Sequence, residues 1–209
     1  MKFRRKSRTD EPEVEESPAE AQEESTPTHG PWDVDDLPEG DELPRVDLGS
    51  LLIVPVKERD LRLQVDEKTQ AVQAIVFTGK DGAMEVRVFA APRNGDLWAE
   101  ARPQIAAQAS QRGGVTTERQ GRWGTELIVQ MPAKTPDGQA AQQVSRIIGV
   151  NGPRWMLRAT LMGRAAVESQ IAATWEGQLA QFAVRRGQGA MPAGEALPLT
   201  LPEQAKRIG

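Results

Sequence analysis

No cysteine and no tyrosine occur in this 209-residue chain, and histidine occurs once, at His29. Without thiols there can be no disulfide, no thiolate nucleophile, no iron–sulfur cluster and no cysteine zinc site. His29 falls in a polar, proline-bearing segment, so imidazole acid–base work and a Ser–His–Asp triad are not expected in the folded part. No apolar run approaches the roughly 18 residues that a membrane helix needs. The basic start, Met1–Arg8, runs into acidic residues and not into the apolar centre of a signal peptide. The chain therefore reads as cytoplasmic.

What is present is unevenly distributed. The net charge of −4 conceals a division. Lys2, Arg4, Arg5, Lys6 and Arg8 make a short basic patch, and Asp10–Pro44 then carries fourteen acidic residues and no basic one. From Arg45 to Gly209, 21 basic residues face 16 acidic ones, a net of +5. Residues 1–44, basic over 2–8 and acidic over 10–43, are predicted to be a disordered tail, because they hold too few apolar groups to offset ordering entropy. Such a tail solubilises; a sharper reading makes it an intramolecular mask over the basic domain. Within it, Trp32, Val34, Leu37 and Leu43 recur among carboxylates and prolines, as in an extended segment that docks. Residues 45–209 are predicted to form a single domain with an extended C-terminal end.

The centre of that domain is the stretch QVSRIIGVNGPRWMLRATLMG, residues 143–163. Asn151-Gly152 between β-branched and aromatic runs is a strong hairpin signal. Pro153 lacks the N–H a strict two-residue turn wants, which favours a four-residue loop from Val150 to Pro153. That register sets Gly149 opposite Arg154, Ile148 opposite Trp155 and Arg146 opposite Leu157. A three-residue loop would set Arg146 against Arg158, an unfavourable like-charge pair. Val144, Ile148, Trp155, Leu157, Ala159 and Leu161 then share a core face on which Arg146 is the only charge. The other face, with Ser145, Ile147, Arg154, Met156, Arg158 and Thr160, is wet or covered by something that tolerates arginine.

Around this hairpin, Leu51–Val56, Leu61–Val65, Ala71–Phe77 and the run through Met84, Val86 and Val88 read as strands of a meander, with Pro55 marking an edge or bulge. Asn94–Arg112 is predicted helical, with Asp96 as N-cap, an apolar line through Leu97, Ala101, Ile105 and Ala109, and Gly113-Gly114 as the stop. Pro103 should kink it. Val115–Arg119 and Thr125–Met131 are strands, Ala165–Leu179 is a second helix with Ile171 and Trp175 on one face, and Ala183-Val184 is a last short strand. The expected class is α+β: a twisted, mostly antiparallel sheet of about eight strands with two helices, like the PsbP/Mog1 sandwich by analogy of element order.

Five stretches carry a family resemblance: GPWDVDDLP (30–38), VDLGSLLIVP (46–55), VFAAPRNGDLWAEARPQIA (88–106), GVNGPRWMLRATLMG (149–163) and LPLTLP (197–202). Together they resemble an actinobacterial family, domain of unknown function 3710. The resemblance implies an intracellular, non-secreted protein. It supplies no activity and no catalytic residue, and Pro103 departs from the family's usual helix sequence.

Chemistry-bearing motifs are few. Gly187-Gln188-Gly189 and Gly194 lack the helix and Lys-Ser/Thr of a phosphate loop. Glu85, Glu100, Glu118, Glu126 and Glu168 are scattered single carboxylates in places where solvated side chains are expected. No EF-hand spacing is present, and no cofactor, metal or catalytic residue is expected. Arginine and tryptophan, the types enriched at binding hot spots, cluster more suggestively. Arg122, Trp123, Arg154, Arg158, Arg185 and Arg186 are the candidate partner-binding residues, weighed against ordinary roles as a solvated sheet face and a core aromatic. The favoured expectation is a non-enzymatic protein-binding or adaptor domain. The alternatives are a nucleic-acid-binding domain masked by its acidic tail, whose arginines track phosphates and whose tryptophans stack on bases, and a small-molecule binder or carboxylate enzyme.

Overall fold

The computed structural model describes residues 30–200 apart from 70 and 94. The basic patch and most of the acidic tail therefore lie outside the described residues. In chain order the elements are β1 (Trp32–Asp33), a 3-10 turn (Val34–Asp36), β2 (Val46–Asp47), β3 (Leu51–Ile53), β4 (Asp60–Val65), β5 (Val72–Gly79) and β6 (Gly82–Ala90). Then follow α1 (Leu97–Gln111), β7 (Val115–Gly121), β8 (Gly124–Lys134), β9 (Ala140–Asn151), β10 (Trp155–Met162), α2 (Arg164–Val167), α3 (Ser169–Leu179) and β11 (Ala183–Val184). This is the α+β class the sequence predicts.

Seven strands make one antiparallel sheet in the order β4-β5-β6-β10-β9-β8-β7. A smaller sheet runs β1-β11-β3-β2. Its β1 joins β11 in parallel, so Trp32 and Asp33 are tied in beside Ala183 and Val184. Residues 30–44 are thus tied to the domain: Arg45 grips Asp41 through two hydrogen bonds of 2.9 and 2.8 Å and donates through Nε to the Gln181 carbonyl.

The central hairpin forms, but two residues further along than the Asn-Gly signal implies. Arg146 lies opposite Leu161, Ile148 opposite Ala159 and Gly149 opposite Arg158. Asn151 is the last residue of β9, paired with Met156, and the turn is made by residues 152–155. Two tertiary interactions account for the shift. The Asn151 amide is used on α1, where Oδ1 accepts from the Trp98 backbone N–H and Nδ2 donates to Asp96. Trp155, meanwhile, is taken up by β6 opposite Ala90. The displacement is even on each strand, so the side chains keep the predicted faces.

On one face, α2, α3 and the small sheet enclose the main core, in which Phe77, Trp155, Leu157, Trp175 and Phe182 are essentially unexposed. On the other, α1 buries Trp98 and Ala109 against Leu127, Val129, Ile147 and Met156. The Asp96 carboxylate caps α1 by accepting from the Ala99 N–H. The helix continues past Pro103, which removes one N–H from its ladder. Gly149 lets the Trp98 indole lie directly on the strand, since a Cβ there would run into the ring.

The single helix expected over Ala165–Leu179 is divided at Glu168, whose backbone is extended. Packing overrides a continuous Ala- and Gln-rich pattern here. Ala165 is held by its N–H on the Asp81 carbonyl, while α3 turns Ala172, Trp175 and Leu179 inward.

Candidate functional site

Two groups of arginines stand apart in this fold, one buried and one on the surface. Strand alternation sends Arg146 into the core face, where it is 2% exposed. Its Nε and Nη2 donate to the two oxygens of Glu126 at 2.6 and 2.7 Å, and Nη2 also meets Glu176 of α3 at 2.6 Å. Arg119 adds a bond from Nε to Glu126 at 3.1 Å. Burial alone would lower the guanidinium's pKa, but hydrogen bonds and charge from Glu126 and Glu176 outweigh it and raise it. Glu126 is 1% exposed, which corrects the expectation of a solvated carboxylate. Gly121 leaves the space, because a Cβ there would strike the Glu126 carboxyl group. Both Glu126 oxygens are occupied by guanidinium donors, so the cluster is a tie between β7, β8, β9 and α3. Sequence reasoning missed Glu126. The available signal was Arg146 itself, because a lone charge on a core face requires a buried carboxylate partner.

The surface candidates are brought together in part. Antiparallel order sets the β7–β8 turn and the β9–β10 loop at the same end of the sheet, with the start of α1. The bonds there are Trp98 Nε1 to the Thr125 carbonyl at 2.6 Å, Ala91 N–H to the Arg154 carbonyl, and Arg154 Nη2 to the Gly187 carbonyl at 3.2 Å. Arg122, Trp123, Arg154 and Arg186 therefore share one rim. Trp123 is anchored on it: Nε1 donates to the Gly30 carbonyl at 2.9 Å, the ring packs on the main core, and the Arg122 guanidinium stands 5.0 Å from the ring centroid. Arg186 donates to the Gly189 carbonyl. The 187–189 loop thus presents carbonyl oxygens to cations, the opposite polarity to a phosphate cradle. Arg185 leaves the group and binds Asp47 Oδ2 at 2.8 Å and the Gly49 carbonyl at 3.0 Å.

Arg158 is different again. It lies three residues along β10 from Trp155, on the α1 side of the sheet, directly opposite Arg87 of β6. Arg87 is occupied, with Nε on Glu85 at 2.8 Å and Nη2 on Gln64 at 3.2 Å. Arg158 is half-buried and has no hydrogen bond or ion pair among the described residues; its guanidinium stands 5.3 Å from the Phe89 ring centroid. Burial lowers its pKa, Arg87 pushes the same way, and Glu85 opposes. Helix α1 packs over β7, β8 and β9. The β4–β5–β6–β10 part of the same face, with Arg62, Gln64, Val76, Thr78, Arg87, Arg158 and Thr160, keeps exposed or half-exposed side chains. At the far end of the sheet, a shallow open groove of about 540 Å³ is lined by Val115, Gln130, Pro132 and Gln142 among others.

Fold and surface together define an α+β sheet domain with a buried ionic tie and a half-covered sheet face on which Arg62, Arg87 and Arg158 stand among Asp60 and Glu85. Among the described residues no helix is long and apolar enough to cross a membrane. The family model described as "Protein of unknown function (DUF3710)" matches residues 30–207, and the chain belongs to that family. No curated protein matches it.

Proposed function

We propose that this chain is a non-enzymatic, cytoplasmic protein-binding module that receives an acidic segment of a partner protein on the β4–β5–β6–β10 face. Arg158 takes the partner's carboxylate, with Thr160 two residues along the same face of β10, while Arg87 keeps its bonds to Glu85 and Gln64. The observation that carries this reading is the state of Arg158. A desolvated cation costs free energy unless it is paired; Arg158 has a like charge opposite, only the charge of Glu85 nearby, and no hydrogen-bonded acceptor among the described residues. A partner carboxylate would supply the missing bidentate, charge-assisted contact.

The competing readings draw less support. A nucleic-acid surface wants aromatic faces free for stacking, whereas Trp98 and Trp155 are buried and Trp123 is tied to Gly30. A carboxylate enzyme wants an acid free to move protons, whereas Glu126 is held by two arginines.

A photo-crosslinking residue at Thr160 tests the proposal in the native host. The expected result is a link to an acidic segment of one protein, lost in Arg158→Gln and insensitive to nuclease. Links that survive Arg158→Gln, or a complex that nuclease dissolves, would overturn it.

A further inference from the structure

The described chain begins at the arginine rim. Gly30 is buried, and its carbonyl is the acceptor for Trp123 Nε1, next to Arg122. Four arginines at this end have no carboxylate partner among the described residues: Arg93, Arg122, Arg154 and Arg186. Two of the carboxylates at this end are engaged elsewhere, while Glu195, whose backbone pairs with Ala90, is exposed. Asp33 accepts from Trp155 Nε1 at 2.7 Å and from the Asp35 N–H, and Asp96 caps α1 and holds Asn151. Immediately upstream, residues 10–24 hold eight carboxylates and no basic residue. Five residues separate Glu24 from Gly30, and the six Cα steps between them reach up to about 20 Å in extended chain.

From this charge complementarity and point of attachment we infer that the acidic segment, residues 10–24, lies on the arginine rim of its own domain. Each exposed ion pair contributes only about 0.2–1 kcal/mol. The tether, however, makes the encounter intramolecular at an effective concentration on the order of millimolar. A few weak pairs are then enough to hold the segment, and salt releases it because exposed pairs are screened. Docking covers the rim against other acidic partners. This inference concerns the rim and is independent of the Arg158 face.

The absence of native cysteine makes the test direct. A nitroxide label on Ser17→Cys in the full chain is unique, and relaxation enhancement of backbone amides reports where it rests. Strong broadening is expected at residues 92–93, 121–124, 152–155 and 186–189. It should fall severalfold in Arg122→Gln/Arg154→Gln and at high salt. Broadening restricted to the residues next to Gly30, or broadening indifferent to salt and to the arginine substitutions, would overturn the inference. Broadening centred on Arg87 and Arg158 would overturn it too, by assigning the segment to the sheet face. The Thr160 crosslink is read separately, so either proposal can fail alone.

Discussion

Arg146 and Glu126 meet through two parallel hydrogen bonds inside the main core, with Glu176 closing on the same guanidinium from α3. An arginine on a core face is tolerated only because acceptors from two other elements converge on it. Breaking such a pair leaves an uncompensated buried charge, at about 3–5 kcal/mol. Arg146→Met should therefore be strongly destabilising in urea unfolding. Adding Glu126→Gln should restore part of the loss, because one of the stranded carboxylates is then neutral. A single-site loss below about 1 kcal/mol would mean that water reaches the cluster.

The approach of Trp98 to Gly149 gives a second expectation. An added methyl at Gly149 points into the indole, and overpacking of this kind costs about 1–3 kcal/mol. Gly149→Ala should lower the melting temperature and change the near-ultraviolet circular dichroism, as the Trp98 ring is displaced from the Thr125 carbonyl. An unchanged spectrum and melting temperature would show that the helix can shift freely.

Acid stability follows from the carboxylates paired with arginine. The hydrogen bond from Arg45 holds Asp41 below its ordinary value of 3.8, and that from Arg185 does the same for Asp47. A carboxylate whose folded pKa is depressed contributes stability above its unfolded pKa and loses it as pH falls through the folded one. Stability should thus be level above about pH 5 and decline as pH drops through 3.8 and below. Asp41→Asn should make that decline shallower. An acid limb identical in the variant, measured by urea unfolding across pH, would contradict the assignment.

Much of the fold was legible because period and punctuation agree locally. The alternation through Met84, Val86 and Val88, the Asp96 cap and the Gly113-Gly114 stop each appear at their expected residues. Legibility ended where long-range partners decide. Asn151 looked like a turn residue because Asn-Gly favours turns, but its amide is spent on α1, 53 and 55 residues away in sequence. The break at Glu168 depends on Ala165 docking at Asp81, which no local pattern encodes. For the candidate surface, the sequence named the arginines but could not sort them. Arg185 is paired with Asp47, Arg122, Arg154 and Arg186 share the rim, and Arg158 stands without an acceptor among the described residues. That sorting depends on strand register across β6, β10 and β9.

The claim that Arg158 serves a partner and not the fold is tested by the unfolding free energy of Arg158→Met beside that of Arg146→Met. Replacing a half-buried cation that has no hydrogen-bonded acceptor among the described residues with an apolar chain of similar length removes a desolvation cost and forfeits its attraction to Glu85 and its contact with Phe89, the latter about 0.5–1 kcal/mol. The account predicts that Arg158→Met is as stable as the parent or more so, while Arg146→Met is much weaker. A loss at Arg158 as large as that at Arg146 would contradict it and return Arg158 to the scaffold.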